Sequence, residues 1–246
     1  RPISEETCTG MPKANPGSVG GVRTPAAISC ESIHKPLIPV KRIADSTVRR
    51  LSAYLRFLED FESRGLATIS SDELAKRGGT TSAQVRKDLS LFGSFGKRGL
   101  GYSVPDLAGR LRQILGLGRE WRVIIVGPGK VGAALARHHG FQQRGFTIIG
   151  AYDNDAQIVG AALDGIAIRD ITHLEADVRR QHPDIAVLAV PEQAAQPMTD
   201  RLVKAGIKAI LNFAPAQLHV PADVTVKTVN MAMELEGLSF ALTNRE

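Results

Sequence analysis

The sequence predicts an α/β chain of two unlike modules: a small helical unit closed by a glycine-rich ribbon, then a doubly wound parallel sheet, with a last helix standing apart. Three observations carry this. Residues 45–115 hold helical stripes of Leu and Phe punctuated by glycines and capping pairs. Residues 121–229 alternate short β-branched runs with helical stretches, the pattern of strand–helix–strand units. The charge is also uneven. Lys41–Leu115 holds 14 basic and 8 acidic residues, the whole of the net +6, while the remainder balances at 17 and 17.

The expected boundaries are 1–40 for a disordered tail, 41–118 for the basic module, 119–230 for the sheet module and 231–246 for a C-terminal helix. At 43% hydrophobic and 23% charged residues, the composition is that of a globular protein. No apolar run approaches the roughly 20 residues of a membrane helix, and the N-terminus lacks the apolar core of a signal peptide. The only cysteines, Cys8 and Cys30, fall in the tail with six Pro and four Gly. They form neither a disulfide framework nor a metal-binding pair. No metal is expected, and a reducing cytoplasm fits.

In chain order, Asp45 and Ser46 are cap candidates for a helix to Gly65, with Val48, Leu51, Leu55 and Leu58 inward and Tyr54 and Phe61 beside them. Ser70 and Glu73 form a capping box for a second helix. Thr81 and Gln84 form another, opening a third helix to Phe92. Four glycines and the pair Lys97-Arg98 then read as a tight ribbon, and Pro105 starts a helix with Leu107, Leu111, Ile114 and Leu115 inward. Strands are expected at Val123–Val126, Phe146–Tyr152, Ile166–Ile168, Ile185–Val190, Ala209–Leu211 and Val224–Val229, and an apolar helix at Ala232–Leu242.

Three short helices and a ribbon, together basic, describe a winged helix-turn-helix. On a helical wheel Val85, Leu89 and Phe92 face inward, whereas Ala83, Arg86, Lys87 and Ser90 share the opposite face. Two small residues there let the helix seat deeply in a major groove. Arginine pairs bidentately with guanine, and lysine reaches base or phosphate. Gln84 precedes this face, Lys97 and Arg98 at the wing tip suit a narrow minor groove, and Tyr102 is placed to bond a phosphate. The alternative is a solvated cationic surface.

In the sheet module, Gly127-Pro128-Gly129-Lys130-Val131-Gly132 follows a strand and opens a helix, and Asp153 stands 21 residues past the last glycine at the end of the next strand. This context makes the loop a dinucleotide fingerprint of the Rossmann type. Gly127 makes the tight turn, Gly129 admits a pyrophosphate and Gly132 packs helix on sheet. Asp153 takes the ribose hydroxyls and repels a 2′-phosphate, favouring NAD over NADP. Lys130 either adds a phosphate contact or is solvated. None of the six histidines falls in a catalytic constellation, and few residues remain for a substrate domain. An NAD-dependent oxidoreductase with an accessory basic domain is therefore the secondary reading, and a DNA-binding regulator of another nucleotide a third.

The strings Gln84–Ser90 and Phe92–Tyr102, the glycine loop, Val190-Pro191 and Asn212-Phe-Ala-Pro215 together resemble the Rex redox-sensing repressors over about residues 43–246. The resemblance implies a homodimer that binds a pseudo-palindromic DNA operator, swaps its last helix, including Phe240, onto the partner, and is released when NADH displaces NAD⁺. It adds Val190, Pro191, Asn212, Ala214 and Pro215 to the NADH/NAD⁺ site. The last helix otherwise packs on its own sheet. The chain departs from the family at two positions that help link the nicotinamide pocket to the first helix: His138 where tyrosine is common, and Asn230 where aspartate is. Arg56 is the matching arginine, and Asn230 is expected to hydrogen-bond it without an ion pair. A weaker or retuned NADH response is the expectation.

Overall fold

A computed structural model describes residues 43–96, 100–138 and 140–244. The tail expected over 1–40, its two cysteines and the wing-tip pair Lys97-Arg98 lie outside them. Among the described residues no helix is long and apolar enough to cross a membrane.

The first module is three helices, a minimal ribbon and a fourth helix. Helix α1 (Asp45–Ser63) buries Thr47, Leu51, Tyr54, Leu55 and Leu58. Neither expected cap residue caps it: the chain enters through Ala44, and Asp45 and Ser46 lie in the first turn. Val48 turns outward at 40% exposure, because Thr47 holds the inward position of that turn. Gly65, at φ +74°, stops the helix where a side chain would be strained. A two-residue strand β1 (Thr68–Ile69) precedes α2 (Ser71–Arg77), whose Ser70–Glu73 capping box forms in both directions. In α3 (Ser82–Ser90) only half of the expected box exists. The Thr81 hydroxyl accepts from the Gln84 amide, while the Gln84 side chain turns elsewhere. Strand β2 (Tyr102–Ser103) pairs antiparallel with β1 and leads into α4 (Val104–Ile114), capped by Ser103. Leucines of α1, α2, α3 and α4 close one core with Tyr54, Val85 and Tyr102.

The second module begins at β3 (Trp121–Val126), followed by α5 (Lys130–Ala136), a short turn α6 (Gly140–Gln143) and β4 (Phe146–Asp153). After these come β5 (Ala162–Leu163), β6 (Ile166–Asp170), α7 (Leu174–Gln181), β7 (Ile185–Leu188), α8 (Glu192–Ala205), β8 (Ala209–Asn212) and β9 (Thr225–Thr228). The spatial order is β5-β6-β4-β3-β7-β8-β9, with every pairing parallel except β5–β6. The six parallel strands thus run in the order of a doubly wound dinucleotide-binding sheet, and the order reverses between β3 and β7. Ile124, Val126 and Leu188 face one apolar layer, under α7 and α8, and Val123, Ile125 and Val187 the other. The β5–β6 hairpin was not anticipated. Its loop is Asp164-Gly165, at φ +50° and +81°, the two-residue turn whose twist matches antiparallel strands.

Helix α9 (Met231–Thr243) extends to the described C-terminus with none of its residues buried. Met231, Met233, Leu235, Leu238, Phe240 and Leu242 are each 61–71% exposed. It does not pack on its own sheet.

Candidate nucleotide cradle and nucleic-acid interface

The glycine loop lies at the carboxyl end of β3, beside the point where strand order reverses. Each glycine has a distinct reason. Gly127 sits at φ +80°, and a Cβ there would fall 2.7 Å from the Ala189 carbonyl oxygen and 2.9 Å from Val190 Cγ1. Its N–H donates to the Tyr152 carbonyl at 2.9 Å, tying the turn to the end of β4. Gly132 is buried, and a Cβ would meet the Gly127 oxygen at 2.7 Å and Ile125 Cγ2 at 3.2 Å, so α5 lies close on the sheet. Around Gly129 a Cβ meets nothing within 4 Å. Gly129 is also the entry residue of α5, with no side-chain cap over the first-turn N–H groups. Open space with backbone donors at its edge fits a pyrophosphate. Pro128 is buried, whereas Lys130 and Val131 are exposed, Val131 at 52%.

Asp153 ends β4, in register with Asp170 of β6. One of its carboxylate oxygens accepts the N–H groups of Asn154 (2.7 Å) and Asp155 (3.0 Å), which fixes the side chain and leaves the second oxygen for a ribose. The donor set therefore fits a dinucleotide whose adenosine ribose bears free hydroxyls. Across the crevice, Val190 and Pro191 follow β7, and Pro191 opens α8. Ala214 is buried and Pro215 exposed in the loop after β8. Asn212 is fully buried and acts on this loop from within. Its amide donates to the carbonyls of Ala214 (3.1 Å) and Ala216 (3.0 Å), and its oxygen accepts the Ala214 N–H at 2.9 Å. It shapes the crevice wall and has no donor left to offer a ligand.

On α3, the structure places Ala83, Arg86, Lys87 and Ser90 on one exposed face. Arg86 reaches back to the Ser71 hydroxyl at 3.0 Å, and the Ser90 hydroxyl donates to the Lys87 carbonyl at 2.8 Å. Two expected contacts are placed otherwise. Tyr102 is 8% exposed, its ring in the core of the winged helix, so packing is its main task. Gln84 donates to Asp88 at 2.8 Å and is turned along its own helix.

Asp88 is the residue that sequence reasoning missed. It is 1% exposed and accepts both nitrogens of the Arg50 fork at 2.6 and 2.8 Å, the Tyr54 hydroxyl at 3.1 Å and the Gln84 amide. Burial alone raises its carboxyl, but Arg50, Gln84 and Tyr54 outweigh that and hold it below its ordinary value. Burial, and then the Asp88 charge, push the Tyr54 phenol up to about 12. A signal existed: with Val85 at zero on the wheel, position 88 falls near 300°, about 40° from Phe92 on the inward arc.

The two departures from the family pattern are also placed. Asn230 caps α9, its oxygen accepting the N–H groups of Ala232 (3.0 Å) and Met233 (3.4 Å). Within the single chain Asn230 makes no bond to Arg56, which lies exposed on α1 without a hydrogen bond among the described residues. The Asn230 acceptor is already committed to first-turn donors. His138 is exposed after α5, its ring edge-on to Phe141 with centroids 5.0 Å apart. Among the described residues no three His, Cys, Asp or Glu side chains are grouped to hold a metal.

Comparison with known proteins agrees with this geometry. Residues 42–90 match the family described as "Putative DNA-binding protein N-terminus", and residues 118–216 match "CoA binding domain". The chain is 49% identical over 208 residues to the redox-sensing transcriptional repressor Rex of Syntrophomonas wolfei, covering 84% of this chain and 99% of that one. It is 43% identical to the Rex of Streptomyces coelicolor, over 84% of this chain and 80% of that one. Among solved structures, the Rex-family repressor RSP in complex with NADH superposes with a TM-score of 0.76 at 36% identity, covering 82% of this chain and 95% of its own. RSP in complex with NAD⁺ and operator DNA gives 0.79 at 37% identity, covering 82% and 94%. A basic winged helix joined to a dinucleotide sheet, matched along nearly the full length of such relatives, assigns the lineage: the chain belongs to the Rex family of redox-sensing transcriptional repressors.

Proposed function

We propose that this protein is a transcriptional repressor, not an enzyme, that reads the NADH/NAD⁺ balance and leaves a pseudo-palindromic operator when NADH binds. The observation that carries this is the match, over 82% of the chain, to a repressor seen both with NADH and with NAD⁺ on operator DNA. The cradle supports it. Gly127, Gly129 and Gly132 with the first turn of α5 hold the pyrophosphate, with Pro128, Lys130 and Val131 flanking it, and Asp153 holds the adenosine ribose. Val190, Pro191, Ala214 and Pro215 face the nicotinamide, the one part by which NADH and NAD⁺ differ. The DNA face is Ala83, Arg86, Lys87 and Ser90 with Lys97 and Arg98 of the wing.

The working form is a homodimer. Helix α9 is largely apolar, buries none of its residues and leaves Met231, Met233, Leu235, Leu238, Phe240 and Leu242 exposed, a surface of the kind that marks an interface. A second copy that exchanges α9 covers it, Phe240 included. A two-fold molecule then places two recognition helices on half-sites about one helical turn, or a multiple of it, apart.

The test selects a duplex from random sequence with the full chain, then follows the labelled duplex by fluorescence anisotropy at fixed salt. The expected result is specific binding that NADH reverses and NAD⁺ does not. Binding indifferent to both nucleotides overturns the redox reading, and the absence of any selected duplex overturns the repressor reading.

A further inference from the structure

Helix α1 is held from three directions by charged side chains. Near its start, Asp45 pairs with Lys227 of β9, the edge strand that leads through Asn230 into α9. Near its end, Glu59 divides its two oxygens between the modules. Oε1 accepts both Nε and Nη2 of Arg112, on α4, at 3.3 Å, and Oε2 meets Arg144, between α6 and β4, at 2.7 Å. Between these, Arg50 grips Asp88 of the recognition helix with two short bonds. Asp45 and Glu59 are 14 residues apart, about 21 Å along the helix. The sheet module therefore holds α1 near both ends, and α1 holds α3 through Arg50.

The attachment points are firm. Arg144 adjoins Gly145, whose carbonyl accepts the Trp121 N–H at 2.7 Å and whose φ of +81° lets the chain pass 2.9 Å from the Arg119 oxygen, measured from a notional Cβ. Around the Glu59–Arg144 pair lies a solvent-lined cleft of about 420 Å³, bordered by Arg112, Arg119, Glu120 and Gln142.

We propose that α1 is the transmission element of this repressor: Asp45–Lys227 and Glu59–Arg144 make it travel with the nucleotide-binding sheet, and Arg50–Asp88 makes the DNA-reading helix travel with α1. This rests on the NADH-responsive reading above. A ligand shifts a conformational equilibrium only by its differential interaction with the two states, so an element fastened to both modules is what converts one into the other. Asp45–Lys227 is largely exposed and Glu59–Arg144 nearly a third exposed, and pairs of that kind contribute about two- to fivefold to an equilibrium.

The experiment measures a coupling factor, the duplex dissociation constant in saturating NADH divided by that without nucleotide, for the full chain. In Arg144→Gln with Lys227→Gln the factor is expected to fall by about fourfold or more, while the melting temperature and NADH affinity stay near those of the wild type. The charge-retaining Arg144→Lys with Lys227→Arg restores it. Arg112→Gln, which removes only the bonds inside the basic module, leaves it unchanged. A factor equal to the wild type in the double Gln variant overturns the proposal, as does an equal loss in the charge-retaining variant. If the wild type itself is not released by NADH, the functional reading fails first and takes this inference with it, a result distinct from either.

Discussion

Asp88 shows how a single buried charge sets the position of a functional surface. Its carboxylate replaces lost water with four hydrogen bonds, so it is tolerated in the core. Asp88→Asn leaves the Arg50 fork half satisfied. Because Arg50 is 30% exposed and partly resolvated, the cost is about 1–3 kcal/mol rather than the larger figure for a fully enclosed pair. Thermal unfolding is expected to show a fall of several degrees, with duplex affinity reduced because α3 loses its anchor. The pH dependence has a definite sign. The folded carboxyl titrates below its ordinary value of 3.8, so its contribution is complete above that value and disappears as the pH falls through the lower folded one. Acid unfolding of Asp88→Asn should accordingly begin from a lower stability at neutral pH and slope less steeply below about pH 4. Gly127 is the matching point in the sheet module. Gly127→Ala combines a positive φ with a 2.7 Å contact to backbone, so it should abolish NADH binding while leaving DNA binding without nucleotide in place. Isothermal titration and anisotropy separate the two.

At the scale of elements, α3 and α9 present opposite cases. Lys87 on α3 is exposed with no ion pair among the described residues, so Lys87→Ala should weaken duplex binding about uniformly across sequences and lower the salt slope by about one if it meets a phosphate. Helix α9 carries its information in apolar surface. Leu235→Asp with Leu238→Asp should abolish the proposed dimer in sedimentation velocity, and should leave the far-UV signature of the remaining helices intact, because both side chains are more than 60% exposed in the single chain. Legibility in the sequence follows the same division. The central strands were readable because Val123–Val126 and Ile185–Leu188 are buried on both faces and leave an unbroken apolar run. The capping box at Ser70–Glu73 was readable because its partners are three residues apart. What escaped was whatever depends on distant pairing. Asp88 looks like surface until Arg50, 38 residues earlier, closes on it. Asn212 looks like a ligand donor until the loop it braces folds over it. The α9 cap formed by Asn230 was not read from the sequence, because it depends on where the helix begins. The Asp164-Gly165 turn was in plain view and marks a hairpin that was passed over.

For the whole molecule, the nucleotide acts by mass action on the folded state. At NADH a hundred times its dissociation constant, the native form gains about 2.7 kcal/mol, visible as a rise in melting temperature. ATP at the same concentration should produce no comparable rise, and NADPH should produce less than NADH because Asp153 opposes a 2′-phosphate. An equal shift with ATP would redirect attention to a regulator of another nucleotide. The joint between the modules offers a further consequence. The chain's single tryptophan, Trp121, is placed there, its ring nitrogen donating to the Gly116 carbonyl at 2.7 Å and the Arg119 guanidinium lying 3.5 Å from its ring centre. A stacked cation and a fixed hydrogen bond make indole emission sensitive to small displacements of the linker. That emission also overlaps the absorption of reduced, but not oxidised, nicotinamide. The protein thus carries a built-in optical gauge, in which energy transfer reports which nucleotide is bound and spectral shift reports whether the joint has moved, in one cuvette and without a label.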